Sequence, residues 1–267
     1  MSLMESLRAA LEPSGLNLLG VADVAAHDAQ VRSARRSRAL CPGARSILVV
    51  GSGGPELWWA FLGDLERNPR HLTHEPHPLE AFVKREIQRA DGVLQDIPRR
   101  WFFAASDDEV QLDFRMLGHL AGLGGDSRLK LLMNARYGPW LGLRAACFLA
   151  AELPPSVPGG PDLCAGCPAP CVSACPGQAF PGGHWSVDRC SAYHAESDRC
   201  GTRCHARLAC PQGARFRYPL EEIHYHSNSY TGRRWLRTHL GLSEAEDLYP
   251  GAPPLWGEWR TKIDVKG

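Results

Sequence analysis

The sequence predicts an α/β or α+β sheet domain followed by a small cysteine-rich module. Strand-like and helix-like segments alternate over about the first 150 residues, which is typical of a sheet covered by helices. The segment PPSVPGGPD, residues 154–162, then breaks this pattern with proline and glycine. Eight of the ten cysteines follow the break, between Cys164 and Cys210. We therefore expect three parts, namely a first domain over residues 1–153, a module over 162–220 and a C-terminal tail over 221–267 that packs on the body.

The periodicity of apolar residues defines the elements of the first domain. Apolar side chains recur at helical intervals over 3–12, 55–66, 77–94 and 112–123. Apolar runs predict strands over 16–22, 46–53 and 101–105, and a hairpin-like pair over 129–134 and 141–153. Pro13 and Gly15 end the first helix, and Gly124 with Gly125 end the last one. The basic stretch over 31–40 is interpreted as a solvated helix face.

The overall charge and hydrophobicity exclude several classes of protein. The 267 residues include 30 basic and 29 acidic side chains, so no strong global field draws the chain to nucleic acid or anionic lipid. The apolar runs are too short for a transmembrane helix. The segment MSLMESLRAALEPSG lacks the basic and apolar regions of a secretory signal. We therefore expect a cytoplasmic protein with no membrane partner.

The clustered cysteines indicate a metal module of the ferredoxin type. The first four are Cys164, Cys167, Cys171 and Cys175, spaced x2, x3 and x3, with Pro176 after the last. A bacterial ferredoxin run is C-x2-C-x2-C-x3-C-P, so this run is one residue longer in the middle. A second group consists of Cys190, Cys200, Cys204 and Cys210. Together they provide the eight thiolates that two 4Fe–4S clusters require.

The ferredoxin pattern also predicts how the eight thiols are shared, because the fourth cysteine of such a run binds the other cluster. The first thiol set is predicted to comprise Cys164, Cys167, Cys171 and Cys210. The second thiol set is predicted to comprise Cys175, Cys190, Cys200 and Cys204. Structural zinc is the alternative, since C-x2-C pairs also build tetrahedral zinc sites. Cys41 and Cys147 lie outside the module and are expected to be plain buried thiols.

The segment 119–149 resembles two related families of corrinoid-handling proteins. His119-Leu-Ala-Gly122 matches the His-x-x-Gly signature of the cblC-type vitamin B12 processing protein. Arg136-Tyr137-Gly138-Pro139-Trp140, with Arg144 after it, matches that family's later Arg-aromatic-Gly-x-Trp…Arg stretch. Ala121-Gly122-Leu123-Gly124 and the Tyr-Gly-x-Trp turn are similar to epoxyqueuosine reductase, a relative of the reductive dehalogenases with two 4Fe–4S clusters in the same chain order. The resemblance covers about residues 3–215 and is specific at 119–144 and 164–176.

The resemblance implies a flavin-reductase-like, nitroreductase-type α+β domain that binds cobalamin base-off, followed by a ferredoxin-like two-cluster module. The cobalamin-binding residues that it implies are His119, Gly122, Gly124, Arg136, Tyr137, Gly138, Trp140 and Arg144. It also implies Asp108 as the catalytic acid, from the strand end where epoxyqueuosine reductases carry one. Two departures disfavour tRNA as the substrate. Gly125-Asp126-Ser127-Arg128 stands where that family has Trp-x-Gly-Lys-Asn, and the family's long helical-repeat tail is not seen in the sequence.

The expected function is that of a corrinoid-dependent iron–sulfur reductase. An external donor of the flavodoxin or ferredoxin type would supply electrons, and two 4Fe–4S clusters would pass them to base-off cobalamin. Reduced cobalt would then cleave a bond in the cobalamin itself or in a small-molecule substrate. Two alternatives stay open, namely an epoxyqueuosine reductase that acts on tRNA and a ferredoxin-like electron carrier without a corrinoid.

Overall fold

A four-stranded antiparallel sheet organises the first part of the chain in the computed structural model, which describes residues 2–105 and 110–249. Its strands are β1 (Leu18–Asp23), β2 (Ser46–Gly53), β3 (Arg99–Phe103) and β4 (Leu141–Leu149). They lie in the order β1-β2-β4-β3, so β2 and β4 are central and β1 and β3 are edges. Val50 of β2 pairs with Ala145, and Gly51 pairs with Leu143. Arg144 is therefore the extra residue of a β-bulge in β4.

Twelve α-helices surround or follow this sheet within the described residues. Those of the first part are α1 (Leu3–Leu11), α2 (Val24–Asp28), α3 (Ser37–Leu40), α4 (Glu56–Arg67), α5 (Arg70–Thr73), α6 (Pro78–Asp91) and α7 (Phe114–Leu120). Those of the second part are α8 (Pro170–Ser173), α9 (Val187–Glu196), α10 (His205–Ala209), α11 (Leu220–Ser227) and α12 (Ser229–His239). The described ranges contain no helix that is both long enough and apolar enough to cross a bilayer.

Two hydrophobic cores cover the two faces of the sheet, which is why every residue of β2 is buried. Alternate residues of β2 point to opposite faces. Leu48 and Val50 join the core formed with α1, α4 and α6, whereas Ile47 and Val49 join the core formed with α7. The tail contributes to the first of these cores, since Tyr225 and Leu236 lie in it.

Most of the predicted elements of the first domain form, but the strand predicted over 129–134 is wrong. That segment makes only isolated bridges, Gly125 to Met133 and Asn134 to Gly138. The Asn134 side chain closes a turn instead, because its Oδ1 accepts hydrogen bonds from the backbone N–H groups of Arg136 and Tyr137. The basic stretch over 31–40 is a 3-10 turn followed by the short helix α3, with exposed arginines. The mixed α/β class is confirmed, with a small antiparallel sheet.

The proline- and glycine-rich segment over 154–162 is bound to the body. The backbone N–H of Ser156 donates to the carbonyl oxygen of Val21 at 2.8 Å, and the Val21 N–H donates to the Ser156 hydroxyl at 3.1 Å.

Asp247 fixes the end of the described tail by ion pairs with Arg233 and Arg237, and all three side chains are buried.

Candidate cofactor site

The loop that carries Cys164 and Cys167 is shaped by a side-chain cap. The Asp162 carboxylate accepts hydrogen bonds from the backbone N–H groups of Cys164 and Ala165, at 2.9 and 3.1 Å. Ala169 then adopts a left-handed conformation, with φ of 56°, and starts α8. This tight turn brings the loop back onto the helix that carries Cys171.

Two short helices, α8 and α10, lie side by side in the module. Each has two of the thiols within it or close to its ends. Cys171 belongs to α8, and Cys175 follows the end of that helix. Cys204 is the N-cap of α10 and Cys210 is its C-cap. Each helix therefore contributes one member to each thiol set.

The first thiol set is gathered on the buried side of the module. Burial is the main cause that raises the pKa of Cys171, and the charges of Cys164 and Cys167 add to it. Burial likewise raises the pKa of Cys210, with further contributions from Cys171, Cys164 and Cys167. Cys171 and Cys210 pack in one apolar cluster with Leu129 and Met133 of the first domain.

The second thiol set lines a cavity of about 260 Å³. Its four thiols interact with one another: burial raises the pKa of Cys200 to about 11, with contributions from Cys204, Cys175 and Cys190. Apolar residues, including Leu129, Phe180 and Trp185, form much of the remaining wall. Within the described ranges, no group of three or more His, Cys, Asp or Glu side chains is arranged around a single metal ion.

Two thiols of the second set receive backbone hydrogen bonds. The Ala179 N–H donates to the Cys175 sulfur at 3.4 Å, and the Arg207 N–H donates to the Cys204 sulfur at 3.5 Å. Such N–H···S bonds favour the thiolate over the thiol and tune a cluster that the sulfurs bind. Cys41 and Cys147 are buried free thiols away from both sets, as predicted, and burial raises the pKa of Cys147 strongly.

The glycines expected to face a corrin ring contact the protein's own backbone. A Cβ atom on Gly122 would stand 2.5 Å from the carbonyl oxygen of Val157, in the segment after the break. A Cβ atom on Gly124 would stand 2.6 Å from the carbonyl oxygen of Met133. His119 lies beside the same segment, because its carbonyl oxygen accepts a hydrogen bond from Gly159 at 2.7 Å. These glycines are needed for close packing of the chain on itself.

The aromatic residues of the same group are covered by the cysteine module. A Cβ atom on Gly138 would stand 2.2 Å from the carbonyl oxygen of Gln212. Tyr137 is 6% exposed and packs edge-on against Phe216, while Arg136 is exposed and lies over both rings. Trp140 is 1% exposed. The eight residues therefore do not form the one open surface that the sequence predicted.

Arg144 differs from the rest of that group, because the bulge turns it into the interior. Its Nε donates to the hydroxyl of Ser52 at 3.2 Å, and its side chain borders a small cavity of about 30 Å³ with Glu80 and Phe103. Asp108, the predicted catalytic acid, lies outside the described residues.

Sequence reasoning missed a buried polar group in which three parts of the chain meet. We call this group the junction cluster; its members are Trp140, Arg144, Arg207, Tyr218 and Glu222. The Arg207 guanidinium lies 4.7 Å from the Trp140 ring and 4.9 Å from the Tyr218 ring, and it donates to the Pro139 carbonyl oxygen at 2.8 Å. The feature of the sequence that could have revealed this group is Arg207, a charged residue midway between Cys204 and Cys210 with Ala206 and Leu208 on either side.

Solved structures share the fold at low sequence identity. Epoxyqueuosine reductase bound to an epoxyqueuosine-modified tRNA-Tyr stem loop is 15% identical, with a TM-score of 0.55 over 83% of this chain and 68% of the other. The Streptococcus thermophilus epoxyqueuosine reductase is 13% identical, with a TM-score of 0.54 over 92% and 82%. The B12-trafficking protein CblC of C. elegans is 12% identical, with a TM-score of 0.59 over 89% and 96%.

No family model and no curated protein matches the sequence. Identities of 12–15% carry the fold and not the activity. The resemblance drawn from the motifs is confirmed at that level: this chain has the fold found in epoxyqueuosine reductase and in the B12-trafficking protein CblC.

Proposed function

We propose that this protein is an iron–sulfur oxidoreductase with two 4Fe–4S clusters, for which a corrinoid is one candidate acceptor of electrons. The observation that carries the proposal is the division of eight thiols into two interacting sets, one of which lines its own cavity. The membership of these sets is the one that the ferredoxin pattern predicts. The fold shared with a B12-trafficking protein supports the corrinoid part.

The residues present fit clusters in three respects. Four thiols surround a cavity of about 260 Å³, which accommodates a group of several atoms more readily than one zinc ion held at about 2.3 Å by each sulfur. Backbone N–H groups of Ala179 and Arg207 donate hydrogen bonds to two of the sulfurs. Leu129, Phe180 and Trp185 give the cavity an apolar wall. A bound 4Fe–4S cluster supplies storage for one electron.

The residues that the sequence predicted for corrin binding do not fit a corrin ring, because most of them are covered by the chain itself. What the first domain does show is Arg144, a half-buried cation at the bulge of β4 that belongs to the junction cluster. Its chemistry suits binding of a carboxylate or phosphate of the substrate, because a guanidinium offers paired donors to such groups.

Metal analysis after anaerobic reconstitution with iron and sulfide tests the cluster proposal. We expect about eight iron atoms and eight sulfides per chain, because each set binds one cube. Cys147→Ala is the matched control, because it removes a thiol outside both sets and leaves the iron content unchanged. One zinc per set with little iron would overturn the proposal in favour of structural zinc.

A cobalamin titration tests the corrinoid part separately. Protein that binds cobalamin base-off shifts its visible spectrum, and saturation of this shift at micromolar protein would establish a corrinoid acceptor that binds outside the covered residues. An unchanged spectrum, with a full iron content, would leave an iron–sulfur electron carrier without a corrinoid as the function.

Epoxyqueuosine reduction on tRNA is the second candidate. It is favoured by the structural likeness to the enzyme bound to a modified tRNA stem loop, which is about as strong as the likeness to CblC. Gel retention of a tRNA stem loop at physiological salt separates the two, since a small-molecule reductase would not retain it.

A further inference from the structure

Glu222 is buried in the junction cluster without a full set of partners. It is 2% exposed, and within the described chain its Oε2 accepts no hydrogen bond. The Nε of Arg207 and the Nε1 of Trp140 are also buried, and within the described chain they donate no hydrogen bond. Buried polar atoms are nearly always paired, so three unpaired atoms at one place mark a site with a role beyond packing.

His226 connects Glu222 to solvent. It follows Glu222 by one turn of α11, and its Nε2 lies 3.6 Å from the Glu222 Oε1. The side chain of His226 is 27% exposed, whereas that of Glu222 is 2% exposed. The pair therefore runs from the surface of α11 to the buried junction.

Arg207 connects the junction to the thiols. Arg207 is one of the residues that line the cavity of the second thiol set, its backbone N–H donates to the Cys204 sulfur, and it stands midway between Cys204 and Cys210. Its guanidinium also stacks over Trp140 of the first domain and Tyr218 at the end of the module, which bury the same junction. A change of charge at the thiols therefore acts on Glu222 through a water-poor region, in which electrostatic interactions are strong.

We propose that Glu222 binds one proton, delivered through His226, when the group held by the thiols beside Arg207 gains one electron. The inference rests on the proposed function. The electron comes from a one-electron donor, the proton comes from water, and the Glu222 carboxylate becomes a carboxylic acid, so the net charge of the region is unchanged. Burial of one negative charge without a proton is what the low dielectric of the junction opposes.

Burial and the charged neighbours of Glu222 together determine its pKa. Burial raises the pKa of Glu222 to about 8, and Arg144 of β4 and Arg207 of α10 oppose that rise. Glu56 of α4 and Glu221 of α11 add to the rise, and Tyr218 and His226 are the other titratable groups that face it. The Glu222 carboxyl group therefore gains or loses its proton near pH 8.

Redox titration of the iron-loaded protein between pH 6.5 and 9.5 tests the inference. We expect the midpoint potential of wild type to fall with pH above about pH 8, where Glu222 of the oxidised protein has lost its proton, by up to about 59 mV for each tenfold drop in proton concentration, the limit for one proton per electron. Glu222→Gln removes the titrating group and gives a potential that does not depend on pH. Glu221→Gln, the matched control on the same helix, keeps the wild-type slope.

A second measurement does not depend on how the variants fold. The infrared difference spectrum of wild type on reduction gains a carboxylic acid carbonyl band, and His226→Gln slows its appearance without removing it. A wild-type potential independent of pH, or equal slopes in the two glutamate variants, overturns the inference. Failure of the protein to take up iron would instead overturn the proposed function, so the two failures are distinct.

Discussion

Single residues in the first domain are chosen for contacts that the chain makes with itself. Gly122 and Gly138 each leave room for a backbone carbonyl from a later segment, Val157 in one case and Gln212 in the other. Both also have positive φ, a conformation that a side chain disfavours. A motif that resembles a ligand signature therefore serves, at these two positions, to hold the first domain against the segments that follow it.

Gly122→Ala is expected to lower the free energy of unfolding more than Gly43→Ala does. Both glycines have positive φ, so each variant loses about 1–2 kcal/mol from the left-handed conformation. Only position 122 adds a clash, with a carbonyl oxygen 2.5 Å away, because nothing lies within 4 Å of a Cβ atom at 43. Denaturant unfolding of the two variants provides the measurement. Equal losses would show that the segment over 154–162 moves away at no cost.

Glu222 is expected to make the folded protein less stable as the pH rises. Burial raises its folded pKa to about 8, above the ordinary value of 4.5, so the folded state holds a proton that the unfolded state releases. Its contribution is full below about pH 4.5 and is lost as the pH rises to about 8, at up to about 1.4 kcal/mol per unit. Thermal unfolding from pH 5 to 8 should show a smaller decline for Glu222→Gln than for Glu221→Gln.

At the scale of elements, α8 and α10 determine which thiols meet. The two helices lie side by side and carry a thiol of each set at or near their ends, so neither set is built from one helix alone. The backbone N–H groups of Ala179, in the loop after α8, and of Arg207, in α10, donate to sulfur. The pairing of short helices thus converts two runs of cysteines into two separate sites.

Cys175→Ala and Cys171→Ala are expected to remove different clusters, although the two residues are four positions apart. Cys175 interacts with Cys190 and Cys200, whereas Cys171 interacts with Cys164 and Cys167. Each variant should hold about four irons, and paramagnetic resonance of the reduced proteins should retain complementary signals. Loss of the same signal in both variants would contradict the division of the thiols.

At the scale of the whole molecule, the tail fastens the three parts together. Tyr225 and Leu236 enter the core of the sheet domain, and Ile223 packs in one cluster with Trp140 of that domain and Tyr218 at the end of the module. Asp247 then anchors the end of α12, since it is buried between Arg233 and Arg237. Removing the tail would therefore expose both the sheet core and the junction cluster.

Asp247→Asn is expected to destabilise the protein by about 3–5 kcal/mol, the cost of leaving buried guanidinium groups without their counter-charge. Burial raises the pKa of Asp247, but hydrogen bonds from Arg233 and Arg237 outweigh burial and hold it below its ordinary value. The stabilisation is thus present near neutral pH and is lost as the pH falls below about 4. Thermal unfolding at pH 7 measures the effect, and the exposed Glu244→Gln serves as control. A destabilisation of Asp247→Asn that appears only at low pH would contradict this prediction.

The sequence by itself determined the mixed α/β class, most element positions and the two runs of cysteines, and the ferredoxin pattern predicted the division of these cysteines into sets. These features depend on spacing within one segment, since apolar periodicity reports a helix or strand and a cysteine interval limits which thiols reach one site. The exception over 129–134 shows the limit, because Leu129 and Met133 pack on the module, Leu132 packs in a core of the sheet, and Asn134 closes a turn.

Only the tertiary structure decided what the motif residues contact. Gly138 meets Gln212, Trp140 meets Arg207 and Tyr218, and Arg144 stands close to Glu222, each pair coming from distant parts of the chain. No local pattern marks Glu222 as buried, since its neighbours in sequence are ordinary residues of an amphipathic helix. Burial and electrostatic environment are properties of such long-range contacts, so they arise only when the sheet, the module and the tail pack together.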